Sequence, residues 1–169
     1  MKNIKIIFAA LSLVIAAAFS VSAQSVSFTS LGGEKIDLES QKGKVVVLAI
    51  GASWLPLSKD QATAINKLSR KYNGKDVAIY FIATDSASAK SKNYASNDQI
   101  QKFADSNKIT ITVLRDSDGV ESIKRYKLDQ LPAFIILDKE GTLADGPFTG
   151  IDPKTDISVL LSQKIDKLL

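Results

Sequence analysis

The chain contains no cysteine and no histidine. The first absence removes disulfide frameworks, thiolate-ligated metals and every cysteine nucleophile, including the peroxidatic cysteine of peroxide chemistry. The second removes histidine-ligated zinc and haem and the imidazole base of a Ser-His-Asp triad. Any catalysis would have to rest on Asp, Glu, Lys, Tyr or Ser. Charge of one sign is lacking as well: 22 Lys and Arg are interspersed with 18 Asp and Glu. No basic run is interleaved with aromatics, so nothing supports nucleic-acid binding. A membrane-length apolar run is also missing. The longest apolar stretch, Ile6 to Phe19 interrupted only by Ser12, falls short of the roughly 18 to 20 residues a spanning helix needs.

What is present begins with a leader. Lys2 and Lys5 precede that apolar stretch, and Val21-Ser22-Ala23 follows it with small residues at the positions a signal peptidase reads. This pattern argues for a signal peptide over residues 1–23, cleaved after Ala23, rather than a retained anchor. The expected address is therefore the periplasm or the outside, with no stable membrane span after cleavage. No cysteine follows the cleavage site, which excludes a lipid anchor there. Without Lys2 and Lys5 the balance is 20 basic against 18 acidic residues, a net +2 that favours no particular polyanion. With 45% hydrophobic residues in 169, residues 24–169 suffice for one domain with a normal core.

Along that domain, Val26-Ser27-Phe28 and Lys35-Ile36-Asp37, joined through Gly32-Gly33, predict a hairpin. Val45 to Ile50 is apolar without alternation, as in a central strand covered on both faces. After Ser58 a helix is predicted, with Ile65, Leu68 and Tyr72 on one face and Gly74 closing it. Val77 to Ala83 predicts a strand, Asp98 to Asn107 a helix with Ile100 and Phe103 inward, and Ile109 to Leu114 a strand with Ile109, Ile111 and Val113 on one face. Asp118 is expected to cap a helix, with Glu121 as its capping-box partner. Ala133 to Leu137 is a buried strand, Asp138 to Gly141 a turn into an antiparallel strand from Thr142, and Asp152-Pro153 the start of a last helix with Ile157, Leu160, Leu161, Ile165 and Leu168 inward. Ser86 to Asn97 lacks periodicity and is expected as a surface loop. The order predicts an α/β domain: a mixed central sheet flanked by helices, opened by an N-terminal β-hairpin.

Three stretches carry a resemblance. Gly43-Lys44-Val45-Val46-Val47-Leu48 leads to Ala52-Ser53-Trp54-Leu55-Pro56-Leu57-Ser58. Arg115-Asp116-Ser117-Asp118-Gly119 precedes the Lys124 to Leu128 helix end, and Leu131-Pro132-Ala133-Phe134-Ile135-Ile136-Leu137-Asp138-Lys139-Glu140-Gly141 follows it. Together and in this order they resemble the thioredoxin superfamily, specifically its exported TlpA-like branch of thiol-disulfide oxidoreductases. The resemblance implies a three-layer thioredoxin-like sandwich. It also implies that Trp54 to Ser58 occupies the place of a Trp-Cys-x-x-Cys motif, with Leu55 at the attacking cysteine and Ser58 at the resolving one. Both sulfurs are absent. Gly51 stands where the branch commonly has an aromatic, and Ala49 where it has a polar residue. The resemblance further implies a cis peptide between Leu131 and Pro132, packed against the Trp54 to Ser58 loop and able to pair with an extended peptide.

Thiol chemistry cannot run at this site, because neither Leu55 nor Ser58 supplies a thiolate. An unassisted serine is a poor nucleophile, and Ser58 reads better as a helix N-cap. No catalytic residue, no cofactor and no metal site are assigned; Asp116 and Asp118 fit an Asp-Ser-Asp-Gly turn without a cation, and Asp85 reads as a capping or solvated aspartate. The candidate site is the vestigial one: Trp54, Leu55, Pro56, Leu57, Ser58, Leu131 and Pro132 as a peptide-binding groove. Two readings of Trp54 and its leucines stay open, an exposed apolar patch that a partner covers, or burial under the Ser86 to Asn97 loop or in the core. The expected function is non-covalent binding of a protein or extended peptide in the cell envelope, as a chaperone-like or adaptor module. The alternatives are an oxidoreductase or antioxidant by family membership alone, and a structural subunit of an envelope complex.

Overall fold

The computed structural model describes residues 26–169; the expected leader over residues 1–23 and its cleavage site lie outside them. The architecture is built around one strand, β3 (Val45–Gly51), every residue of which is buried. Seven consecutive buried residues, four of them β-branched (Val45, Val46, Val47 and Ile50), suit a strand that is covered on both faces and paired on both edges. On one edge it pairs in parallel with β4 (Val77–Ala83), and on the other in antiparallel with β6 (Ala133–Leu137). Adding β1 (Ser27–Ser30), β2 (Lys35–Asp37), β5 (Val113–Arg115) and β7 (Leu143–Phe148) gives a seven-stranded mixed sheet in the order β2-β1-β5-β4-β3-β6-β7. The predicted N-terminal hairpin is β1 and β2, paired antiparallel from Ser27 with Asp37 to Thr29 with Lys35.

Alternating side chains of β3 feed two cores. Val45, Val47 and Ala49 pack with Ile65 and Leu68 of α1 (Ser58–Lys71), Ile100 and Ala104 of α2 (Asn97–Ser106), and Leu161 and Ile165 of α4 (Ile157–Ile165). Val46, Leu48 and Ile50 pack on the other face with Leu38 of a 3-10 turn, Tyr126 of α3 (Val120–Tyr126) and Leu128. The crossovers β3-α1-β4 and β4-α2-β5 run the same way along the sheet. Right-handed connection then places α1 and α2 on one face. Each large β3 side chain contributes roughly 1.5–3 kcal/mol relative to exposure.

The elements follow the sequence pattern with four corrections. The strand expected over Ile109 to Leu114 is only Val113–Arg115. Lys108 leaves α2 with φ +58°, and Ile109 to Thr112 run beside β4 with Thr112 O accepting the Phe81 amide as their ladder-like bond, 3.2 Å. Ile109, Ile111 and Val113 nevertheless share the α1/α2 core. The N-cap of α3 is Gly119, in the left-handed region, and the first-turn groups are satisfied from further back by Asp116 rather than Asp118: its buried carboxylate accepts the amides of Glu121 (3.2 Å) and Ser122 (2.8 Å) and the Ser122 hydroxyl (2.6 Å). Asp118, at φ +62°, instead accepts the Ser86 hydroxyl at 3.3 Å. The last helix starts at Ile157 and is capped by Asp156, because Asp152 turns the chain locally by accepting the Lys154 and Thr155 amides. On α4, Leu160 faces solvent rather than the core.

Helices α1 and α4 are clamped at their surface by Lys67 to Asp156, 2.7 Å, and Lys71 to Asp166, 2.8 Å. Asp166 also accepts the Tyr72 hydroxyl at 2.7 Å. The Lys71 bond, then the Tyr72 bond, hold the Asp166 carboxyl below its ordinary value. Its contribution is therefore present above the unfolded carboxylate value, about 3.9, and is lost as pH falls through the depressed folded value. Asp166→Asn flattens the acid limb of a Tm-against-pH profile slightly, as suits a screened surface pair. Asp116→Ala lowers stability by about 1–2 kcal/mol, read as a lower urea midpoint at unchanged slope.

Candidate functional site

The C-terminal end of β3 meets the N-terminal end of β6, since Ile50 pairs with Ala133 in antiparallel. The chain after Gly51 therefore runs beside the residue before Ala133, which is Pro132. The Leu131–Pro132 peptide is cis, as the resemblance implied. Leu131 is half-buried and Pro132 buried. A second cis bond, Gly146–Pro147 in edge strand β7, had no counterpart in the sequence reading.

Between β3 and α1 the loop makes two tight turns, with the Leu55 amide donating to Ala52 O (3.2 Å) and the Ser58 amide to Leu55 O (3.1 Å). Trp54 is 51% exposed. Pro56 is exposed, and Leu55 and Leu57 are half-buried. Burial of Trp54 under the Ser86 to Asn97 loop is thereby excluded. That loop has its own structure: Ser86 bridges Tyr94. The Arg115 guanidinium ties it down by donating to the carbonyls of Asp85 (3.3 Å), Ser86 (3.0 Å) and Ala95 (2.7 Å) and to Asn97 Oδ1 (3.0 Å).

Asp85 is fully buried, neither a solvated nor a helix-capping aspartate. Its carboxylate accepts the Ser53 amide through both oxygens, 3.1 and 3.0 Å, and the Ser53 hydroxyl at 2.5 Å. The end of β4 thus holds the residue immediately before Trp54. Gly51 is held from the same side, its carbonyl accepting both the amide (2.8 Å) and the hydroxyl (3.0 Å) of Thr84. The exposed indole stands on a loop anchored from within.

Ser58 does not cap α1. The N-cap is Leu57, whose backbone is already helical, and Ser58 is the first residue of the helix. Its side chain points inward, and its Oγ has no hydrogen-bond partner among the described residues. Next to it lies Gln61, fully buried, which the sequence reading missed. Its Nε2 donates to Ile50 O (3.2 Å) and to Ala133 O (2.9 Å). Two carbonyl partners settle the orientation of the amide and leave Oε1 directed at Gly51. A Cβ on Gly51 would lie 2.4 Å from Gln61 Oε1 and 3.2 Å from Ser58 Oγ, so a larger residue there does not fit this interior. A signal for Gln61 was available: positions 58, 61, 65, 68 and 72 form the buried stripe of α1, and Gln61 breaks it with a polar side chain whose burial demands partners.

The Ser58 hydroxyl has no base beside it, the Asp85 carboxylate is engaged by the Ser53 amide and hydroxyl, and no cluster of His, Cys, Asp or Glu among the described residues is arranged to hold a metal ion. It offers an apolar surface on a braced loop. No described helix is long and apolar enough to cross a membrane.

The AhpC/TSA family model matches residues 16–145. The chain is 31% identical to the thioredoxin-like protein YneN of Bacillus subtilis over 123 residues, 73% of this chain and 67% of that protein. It is 32% identical to the thiol-disulfide oxidoreductase ResA of Bacillus thuringiensis over 113 residues, 67% of this chain and 60% of the relative. Among solved structures it superposes on a secreted disulfide oxidoreductase of Mycobacterium tuberculosis at TM-score 0.63, 25% identity, covering 85% of this chain and 96% of the other. A thiol-disulfide oxidoreductase of Bacteroides fragilis gives TM-score 0.68 at 20% identity, covering 87% and 98%, and shows the shared thioredoxin-like fold.

Asp85→Ala removes three hydrogen bonds to Ser53 and leaves a half-buried amide without its partner. It lowers stability by roughly 2–3 kcal/mol and shifts the emission of Trp54, the chain's single tryptophan, both measurable in one fluorescence-detected urea titration.

Proposed function

The chain belongs to the AhpC/TSA family, and we propose that it binds an extended polypeptide non-covalently at the place where the family carries its cysteines. The observation that carries this reading is Trp54, half exposed on a loop whose preceding residue is fixed by the buried Asp85. An exposed indole flanked by half-buried Leu55 and Leu57 has the composition of a binding hot spot. A loop ordered before the ligand arrives loses little entropy on binding. The Ile50–Ala133 pair brings the cis Leu131–Pro132 segment to the same end of the sheet.

Disulfide exchange requires a thiolate, and the chain has no cysteine. The encounter is therefore non-covalent, which suits a chaperone-like or adaptor role. Export to the cell envelope is part of the proposal. It is supported by the leader pattern around Lys2, Lys5 and Ala23 and by likeness to a structure described as secreted.

Anisotropy titration of fluorescently labelled, cysteine-free extended peptides tests the reading. Wild-type protein binds, Trp54→Ala weakens binding by about 30-fold, the ~2 kcal/mol of a hot spot, and neither reduces insulin disulfides. Equal binding by Trp54→Ala moves the function to another surface.

A further inference from the structure

A groove between two chain segments works only if the segments keep their spacing. Here one wall, the Trp54 loop, follows β3, and the other, Leu131–Pro132, precedes β6. The strands pair as far as Ile50 with Ala133, and beyond that pair the ladder ends. One side chain bonds to the ends of both strands at this point: the Gln61 carboxamide, donating to Ile50 O of β3 at 3.2 Å and Ala133 O of β6 at 2.9 Å. These carbonyls belong to the residue before Gly51 and the residue after Pro132. Gln61 itself is fully buried in the first turns of α1 and touches no solvent, so it cannot meet a ligand.

We propose that Gln61 is the positioning residue of the groove, setting the separation of the Trp54 loop from the Leu131–Pro132 segment. The proposal rests on the binding reading above and deepens it. The side chain type fits the task. Two N–H groups from one planar amide reach two acceptors on different strands, which no apolar, hydroxyl or carboxylate side chain can do. Gly51 is the complementary half of the arrangement. Without a Cβ it admits Gln61 Oε1, which a methyl group would approach to 2.4 Å. A residue that merely filled the core would need neither the amide nor the glycine.

The test compares Gln61→Met, similar in shape without the donors, and Gly51→Ala, which displaces the same carboxamide without altering it. Backbone hydrogen exchange is followed by mass spectrometry together with Trp54 emission and peptide affinity. The expected result in both variants is exchange about tenfold faster or more in residues 52–57 and 130–134, unchanged exchange in α2, a shifted Trp54 emission, and peptide affinity weaker by about tenfold. A uniform rise in exchange, with Trp54 emission and affinity unchanged, makes Gln61 an ordinary core residue and overturns the proposal. If Gln61→Met does not fold, Gly51→Ala alone decides by the same exchange pattern. If the wild-type protein binds no peptide, the binding reading falls, while the exchange pattern and Trp54 emission still decide whether Gln61 spaces the two segments.

Discussion

Strand β3 is buried along its whole length, and the rest of the molecule answers the demands this makes. A backbone with no access to water must have every N–H and C=O paired, which calls for a partner strand on each edge; β4 and β6 are those partners. Its apolar side chains leave on both faces and require cover on both, which α1, α2 and α4 supply on one side and α3 with the 3-10 turn on the other. Because β4 is parallel and β6 antiparallel, the end of β3, the end of β4 and the beginning of β6 gather at one edge of the core. The site lies there as a consequence of strand direction.

At that edge the interior is polar where the family carries its reactive sulfur chemistry. Ser58 and Gln61 are buried at the start of α1, and an unpaired buried polar atom costs about 1–3 kcal/mol. A chain that kept only the scaffold could fill the space with alanine or leucine at lower cost. Here the amide is spent on the carbonyls of Ile50 and Ala133, the neighbouring acid on Ser53, and Thr84 on Gly51. Polar side chains reach the start of the loop from the residues just after β4 and the strand ends from α1, while Trp54 is left half in solvent. Ordering below the surface together with an uncovered aromatic above it is the physical content of the binding proposal.

Elements with strong internal pattern were legible in the sequence, and those set by neighbours were not. The β4 strand reads directly from Val77 to Ala83 because all seven residues suit a covered strand. The alternation of Ile109, Ile111 and Val113 identified their common face correctly, yet of the three only Val113 joins a ladder, opposite Phe81 of β4, and β1 meets this segment only at Leu114 and Arg115. Asp116 and Asp118 are equally good caps by composition. The choice fell to Asp116 because Asp118 turns left-handed and faces Ser86 instead. Leu160 fits the inward stripe of α4 by spacing but lies past the edge of the core it would have joined.

By itself the sequence determined that no thiol or imidazole chemistry is open to this chain, and its motif order placed it among thioredoxin-like proteins, because these follow from which residues exist and in what succession. Only the tertiary structure decided that Trp54 is exposed, that Asp85 anchors its loop, and that Gln61 joins the two sides of the site. Ser53 and Asp85 are 32 residues apart, and Gln61 and Ala133 are 72 apart. Contacts over such separations depend on sheet register and strand direction, which local propensity does not encode. Whether a buried polar residue is a defect or a brace depends on which carbonyl the folded chain brings within 3 Å of it.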